Sequence, residues 1–167
     1  MSASVTVHFL EMHSPSELKP KLESHGTTVQ ECLVNQFEFN RFLYKFVGAS
    51  WQWTDRLTWT EELWQQYVQD DSLRTWVAYN QGAIAGYYEL LKDGSDVQIA
   101  YFGLSHYFIG KGIGGYLLTQ AIRSAWEQEG TKRVWVHTCS NDHPHALGNY
   151  KARGLSVYKV KRLEPRD

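Results

Sequence analysis

The sequence predicts a single α/β (α+β) domain built on an open sheet of mixed strand direction, with a cleft in it. Three observations carry this expectation. Apolar residues recur at helical spacing over 29–46 and 60–70, and the spacing turns to alternation at Thr75. Three strand-like runs then follow one another with only short turns between them, as in an antiparallel meander. A glycine-rich turn next opens a helix, after which strand, helix and strand alternate, and such connections run as right-handed crossovers.

The elements follow in order. VTVHFL (Val5 to Leu10) alternates as a first strand does. Pro15 and Pro20 punctuate Ser14 to Thr28, a loop or short broken helix. Val29 to Phe46 carries Cys32, Leu33, Phe39, Leu43 and Phe46 at helical spacing, and Gly48 stops the run. The aromatic loop GASWQWTDRLTW leads to Thr60, an N-cap with Glu61 and Glu62 in the first turn, where carboxylates suit the positive helix end. That helix ends near Asp70. Thr75 to Tyr79 and Ala83 to Leu91 flank Asn80-Gln81-Gly82 as a hairpin, and KDGSD turns the chain into VQIAYFGL (Val97 to Leu104). The glycine loop opens a helix of about five turns, ending before Gly130, with Ile113, Leu117, Leu118, Ala121, Ile122 and Ala125 on one face. Arg133 to Thr138 is a strand, Pro144 to Arg153 a short helix closed by Gly154, and LSVYKVK the last strand.

Composition narrows the function classes. Of 167 residues, 43% are hydrophobic and 21% charged, enough to fill one core and too apolar for a disordered chain. A net charge of -1 gives no electrostatic case for a nucleic-acid partner. Cys32 and Cys139 make no disulfide framework and fit a reducing compartment. MSASVTVHFLEMH has neither a basic n-region nor a membrane-length apolar run. These features lead us to expect one cytoplasmic domain over 1–167, a monomer or homodimer, with no membrane partner.

FIGKGIGGYLLTQAI (Phe108 to Ile122) sets the functional question, since four glycines between strand and helix let a backbone approach something closely. GKGIGG formally matches the dinucleotide fingerprint G-x-G-x-x-G. That motif belongs after the first strand of a parallel unit, however, and here a meander precedes it while RVWVHTCS ends in no carboxylate for a ribose. Lys111 is followed by Gly112 rather than Ser or Thr, so no Walker A loop forms, and the kinase and G-x-S-x-G signatures are missing.

VQIAYFGL, IGKGIGGYLL and NDHPHALGNYKARGL occur in that order. Together they resemble the GNAT superfamily of acetyl-CoA-dependent N-acetyltransferases, over about Thr75 to Val160. HTCSNDHPHALGNYKARG also resembles a group of small bacterial members. The resemblance implies a largely antiparallel twisted sheet with helices on both faces and a cofactor cleft where two strands splay. It implies that 73–160 forms the acetyl-CoA core and that 1–72 supplies a first strand and acceptor-side helices. Ile109, Gly110, Lys111, Gly112, Ile113 and Gly114 then form the pyrophosphate loop, with bare N–H groups at a positive helix end and Lys111 as a point charge. The strand edge Tyr101 to Leu104, with Phe102 and Gly103, pairs with the pantetheine amides, and Gly103 supplies a bulge. The family's loop usually begins with Gln or Arg where this one has Ile109, so one side-chain contact to phosphate is missing.

The chemistry needs an acid for the leaving thiolate and a way out for the amine's proton. By resemblance Tyr150 is the acid, and Asn141 is a contact for the CoA arm or the N-cap of the next helix. Gln98 stands where several members carry a glutamate base, and an amide has no basic site. Glu89 is the replacement, since alternation aims Tyr87 and Glu89 at one face; His137, His143 or solvent are the others. Trp51, Trp53 and Trp59 cluster on the acceptor side, where aromatic faces would suit a small cationic amine. Gln98 and His137 join them as candidate acceptor contacts. Cys139, His143 and His145 are one ligand short of a structural zinc site, so no metal is expected. A non-catalytic acyl-CoA sensor on the same fold is the alternative that Gln98 and Ile109 keep open.

Overall fold

The structure, a computed structural model, describes residues 4–51 and 53–164. β1 (Val5–Met12) leads into a 3₁₀ turn, Pro15–Glu17, closed by a capping box in which Glu17 accepts from the His13 and Ser14 N–H groups. The next element corrects the expected helix over 29–46. Thr27–Glu31 is a strand, β2, and the helix α1 covers only Phe37–Gly48. TTVQE is rich in β-branched residues and pairs along β3 (Leu73–Asn80), so sheet pairing wins over a helical spacing that Val29 and Cys32 matched by chance.

Thr60 caps α2 (Glu61–Gln69) as its position predicts, its Oγ1 accepting from the Leu63 N–H at 3.3 Å. β3 and β4 (Ala83–Asp93) join through Gln81 and Gly82, whose φ of 51° and 83° suit a tight hairpin turn. β5 (Asp96–Leu104) completes the meander. α3 (Gly114–Glu127) is shorter than five turns, because Gly110 and Gly112 take φ of 80° and 81° and hold the preceding loop out of the helix. β6 (Arg133–Cys139), α4 (Ala146–Ala152) and β7 (Ser156–Leu163) follow.

The seven strands form one sheet in the order β2-β3-β4-β5-β6-β1-β7, antiparallel throughout except where β5 meets β6. Alternation along β3 and β4 sends Val77 and Tyr87 to one face, against Leu43 and Val47 of α1. Trp76, Ala78 and Tyr88 point to the other face and join Leu117, Leu118, Ala121 and Ile122 of α3. Those four α3 side chains have no exposed surface. At about 1.5–3 kcal/mol per buried Leu or Ile, this face fixes α3 across the sheet. Among the described residues no helix is long and apolar enough to cross a membrane.

Candidate active site

β5 and β6 pair at only three positions, Asp96–Arg133, Val97–Val134 and Gln98–Trp135. Beyond them β5 runs on to Leu104 and β6 to Cys139 without pairing, so the sheet opens into a V. A bulge helps part them. Glu89 opposes Tyr101 while Leu90 opposes Ile99, which leaves Ala100 as the extra residue on β5. The expected bulge at Gly103 is therefore corrected: Gly103 stays in register with Tyr87. Its missing Cβ makes room instead, since a Cβ there would sit 2.7 Å from Val47 Cγ1 and 3.2 Å from the Trp53 ring.

A cavity of about 1030 Å³ fills the V. One end is walled by Phe102, Gly103 and Leu104 of β5 and by Ile109, Gly110, Gly112 and Gly114 of the loop. Two expected loop contacts lie elsewhere. Ile113 is buried in the core at the start of α3, and Lys111 Nζ sits 5.7 Å from the Phe108 ring, off the cavity wall. A cation on the wall near the loop is Lys21, from the Ser14 to Thr28 segment that the sequence predicts as a loop or short broken helix. Its backbone N–H donates to Thr119 Oγ1 at 2.9 Å, which ties the segment across the first turns of α3. Gly115 is the residue that lets it pass, because a Cβ there would overlap both the Lys21 side chain and the Arg153 guanidinium. Arg153 Nε is itself buried without a partner among the described residues. Bare N–H groups, a helix N-terminus and two cations converge here, a setting that fits a diphosphate.

Tyr150 stands further along the wall, 6% exposed, with no hydrogen-bond partner for its hydroxyl among the described residues. Burial, with the Asp142 charge adding to it, pushes its pKa well above that of a free phenol, so the group stays protonated. Asn141 lines the cavity but caps no helix; His145 holds the N-cap position of α4. Asp142, which the sequence reading passed over, organises this corner. It accepts from Thr138 Oγ1 at 2.5 Å, from the Cys139 N–H at 3.2 Å and from Trp53 Nε1 at 3.3 Å, and so links the end of β6 to the α1–α2 loop.

The acceptor end is lined by Trp51, Trp53, Asp55, Arg56, Tyr101 and His137. Gln98 lies at the base of the V. Trp59 does not reach the wall; it belongs to an aromatic cage whose guest is the protein's own Arg56. The guanidinium carbon lies 4.0 Å from the Tyr67 ring centre, 4.2 Å from Tyr101 and 4.6 Å from Trp59, with Trp64 and Tyr44 behind. Glu89 closes the cage. It is wholly buried and accepts from Arg56 Nη1 at 3.4 Å, Tyr67 Oη at 2.8 Å and Asn40 Nδ2 at 3.1 Å. Tyr87 and Glu89 do share a face, as alternation requires, but Glu89 is sealed beneath Arg56 and is not on the cavity wall.

His137 is open to the cavity, with Phe9 and Trp135 rings at 5.6 and 6.1 Å. Enough protein surrounds the imidazole to push its pKa below the usual range, against the pull of Asp142 and Asp55 in the other direction. His143 packs edge-on to Trp51 at 4.7 Å and accepts from the His145 N–H, and burial lowers its pKa as well. Among the described residues no group of three or more His, Cys, Asp or Glu is placed to hold a metal ion.

Residues 37–155, which include the glycine loop and the parting strands β5 and β6, match the sequence profile described as "Acetyltransferase (GNAT) family". The chain belongs to the GNAT acetyltransferase family. No curated protein sequence matches it. Among solved structures, it is similar to a GCN5-related N-acetyltransferase from Sphaerobacter thermophilus, with TM-score 0.70, 18% identity, and coverage of 98% of this chain and 53% of that one. An aminoglycoside acetyltransferase from an uncultured soil metagenomic sample gives TM-score 0.64, 17% identity, and coverage of 77% and 88%. A functionally unknown conserved protein from Staphylococcus epidermidis gives 0.61, 14%, 96% and 60%. These likenesses are of fold. The GNAT chain described here spans little more than half the length of the first and third of these proteins.

Proposed function

We propose that the protein moves an acetyl group from acetyl-CoA to a primary amine of a small molecule or a peptide N-terminus, by direct attack of the amine. The observation that carries this reading is the unpaired stretch between β5 and β6, which makes one cavity from the glycine loop to the Arg56 loop. Residues 73–160 hold the CoA side, and Lys21 reaches over from the first 72 residues, which otherwise supply the acceptor side. The N–H groups of Gly110, Gly112 and Gly114, with Lys21, hold the pyrophosphate; the edge of β5 from Tyr101 to Leu104 faces the pantetheine arm. The amine N–C bond forms as the thioester C–S bond breaks, and Tyr150 gives its proton to the departing sulfur. Glu89 is enclosed and its oxygens are occupied, so the amine's proton goes to His137, directly or through water.

Calorimetry with acetyl-CoA, followed by thiol release across a panel of amines, tests the proposal. Binding with turnover supports it. Binding without thiol release on any amine points to the acyl-CoA sensor, and absence of binding overturns the reading.

A further inference from the structure

We infer that the acceptor is an amine that also carries a carboxylate, and that the exposed edge of the Arg56 guanidinium binds that carboxylate. The inference rests on the acetyltransferase reading and goes beyond it by naming the substrate class.

Arg56 has an unusual setting for a cation at a cavity wall. It is 8% exposed, yet it forms part of that wall. Its Nη1 donates to Glu89 at 3.4 Å, which is long for a charged pair, and the Tyr67 hydroxyl also meets the guanidinium. The side chain lines the acceptor end of the cavity beside Asp55 and Tyr101. Tyr67, Tyr101 and Trp59 pack at 4.0–4.6 Å and hold the guanidinium in place. The backbone is fixed too, the Arg56 N–H donating to Tyr44 Oη at 3.1 Å. Cation–π packing, Tyr67 and Glu89 offset the burial of the charge. The guanidinium is thereby held rigid in a water-poor part of the acceptor wall, and a planar fork of N–H groups in that position suits a bidentate carboxylate.

Its neighbours fit the rest of such a molecule. Asp55, next in the chain, supplies an opposite charge on the same wall for the ammonium form that arrives from solvent. Tyr101 touches the guanidinium and lies on the β5 edge where the strands part, so an anchored carboxylate sits one side chain from the opening of the V. The aromatic cage of Tyr67, Tyr101 and Trp59 offers no place for a substrate cation, because Arg56 already fills it.

The test uses matched acceptors: amino acids against their carboxamides, with thiol release as the readout and acetyl-CoA binding measured alongside by calorimetry. The wild-type protein is expected to prefer the carboxylate member by at least about 10-fold in kcat/KM. Because Arg56→Met alone leaves Glu89 buried and unpaired, the variant is Arg56→Met with Glu89→Gln, which keeps volume and neutrality. In that variant the preference should fall to about one, with acetyl-CoA affinity retained. Equal or better use of the carboxamides by wild type, or a preference that survives in the double variant, overturns the inference. Acetyl-CoA binding with no turnover of any carboxylate-bearing amine also overturns it and leaves the cofactor assignment standing. Failure to bind acetyl-CoA removes the underlying reading itself.

Discussion

The Arg56 guanidinium and the Glu89 carboxylate meet at 3.4 Å beneath the acceptor wall, and among the described residues each is the other's only ion-pair partner. The aromatic rings enclose Arg56, while Tyr67 and Asn40 saturate Glu89. A carboxylate held in this way supports the wall; it has no route to a substrate proton.

Glu89→Gln should therefore act on stability first. It keeps shape but leaves the guanidinium without its counter-charge, at a cost of about 3–5 kcal/mol. In a chain of this size that lowers Tm by on the order of 10 °C. The pH profile of whatever activity remains should keep its wild-type shape. A stable Glu89→Gln variant that loses the low-pH limb of kcat/KM would restore Glu89 as the base.

Tyr150→Phe removes a hydroxyl that has no hydrogen-bond partner among the described residues, so the fold should scarcely notice. If proton delivery to the leaving thiolate limits turnover, kcat falls by roughly 10²–10⁴-fold with acetyl-CoA binding retained. Wild-type kcat in this variant would leave Tyr150 as a packing residue against Phe102, whose ring centre is 6.2 Å away.

Lys21→Met keeps most of the methylene stem that covers Gly115 and removes only the charge. Acetyl-CoA affinity should drop by roughly 10–100-fold, a charge-assisted contact to phosphate being worth about 1.5–3 kcal/mol. Its dependence on salt should weaken as well. Lys111→Met, off the wall, should change affinity much less. The reverse ranking by calorimetry would put the phosphates on the outer side of the loop.

Much of this arrangement was legible in the sequence where one local rule decides the outcome. Thr60 before two glutamates reads as a cap, Gln81-Gly82 as a hairpin turn, and Ile113 to Ala125 as a buried helix face, and each is so in the structure. The V-shaped cleft came from the resemblance carried by three ordered motifs. What stayed hidden depends on partners distant in sequence. β2 exists because Thr27 to Glu31 find the edge of β3 some fifty residues on, and no periodicity in TTVQE announces that. Lys21 has no pattern around it, and only the absence of a Cβ at Gly115 makes room for it. The tryptophans of the 51–64 region were visible as an aromatic cluster. That Arg56, in their midst, would occupy it follows from Glu89, thirty-three residues later.

The proposed route of the amine's proton to His137 is one that pH can test. The surroundings of His137 lower its pKa chiefly by desolvation, with Asp142 and Asp55 opposing. The ring is therefore neutral, and able to accept a proton, from below the ordinary imidazole value of about 6.5 upward. If His137 is the base, kcat/KM rises with pH through an apparent pKa under that value, apart from the amine's own ionisation at about 8–10. His137→Gln should remove the lower limb and cut the rate by roughly 10²-fold or more. Stability supplies an independent check of the same shift. A histidine with a depressed folded-state pKa favours folding while it is neutral, above its unfolded value. That contribution disappears as pH falls from about 6.5 through the lower folded value. His143, shifted the same way, adds to the loss. His137→Gln should lose less stability than wild type over that interval, in Tm measured against pH. A flatter Tm curve with an unchanged rate profile would show that the shift is real and that solvent, not His137, takes the proton.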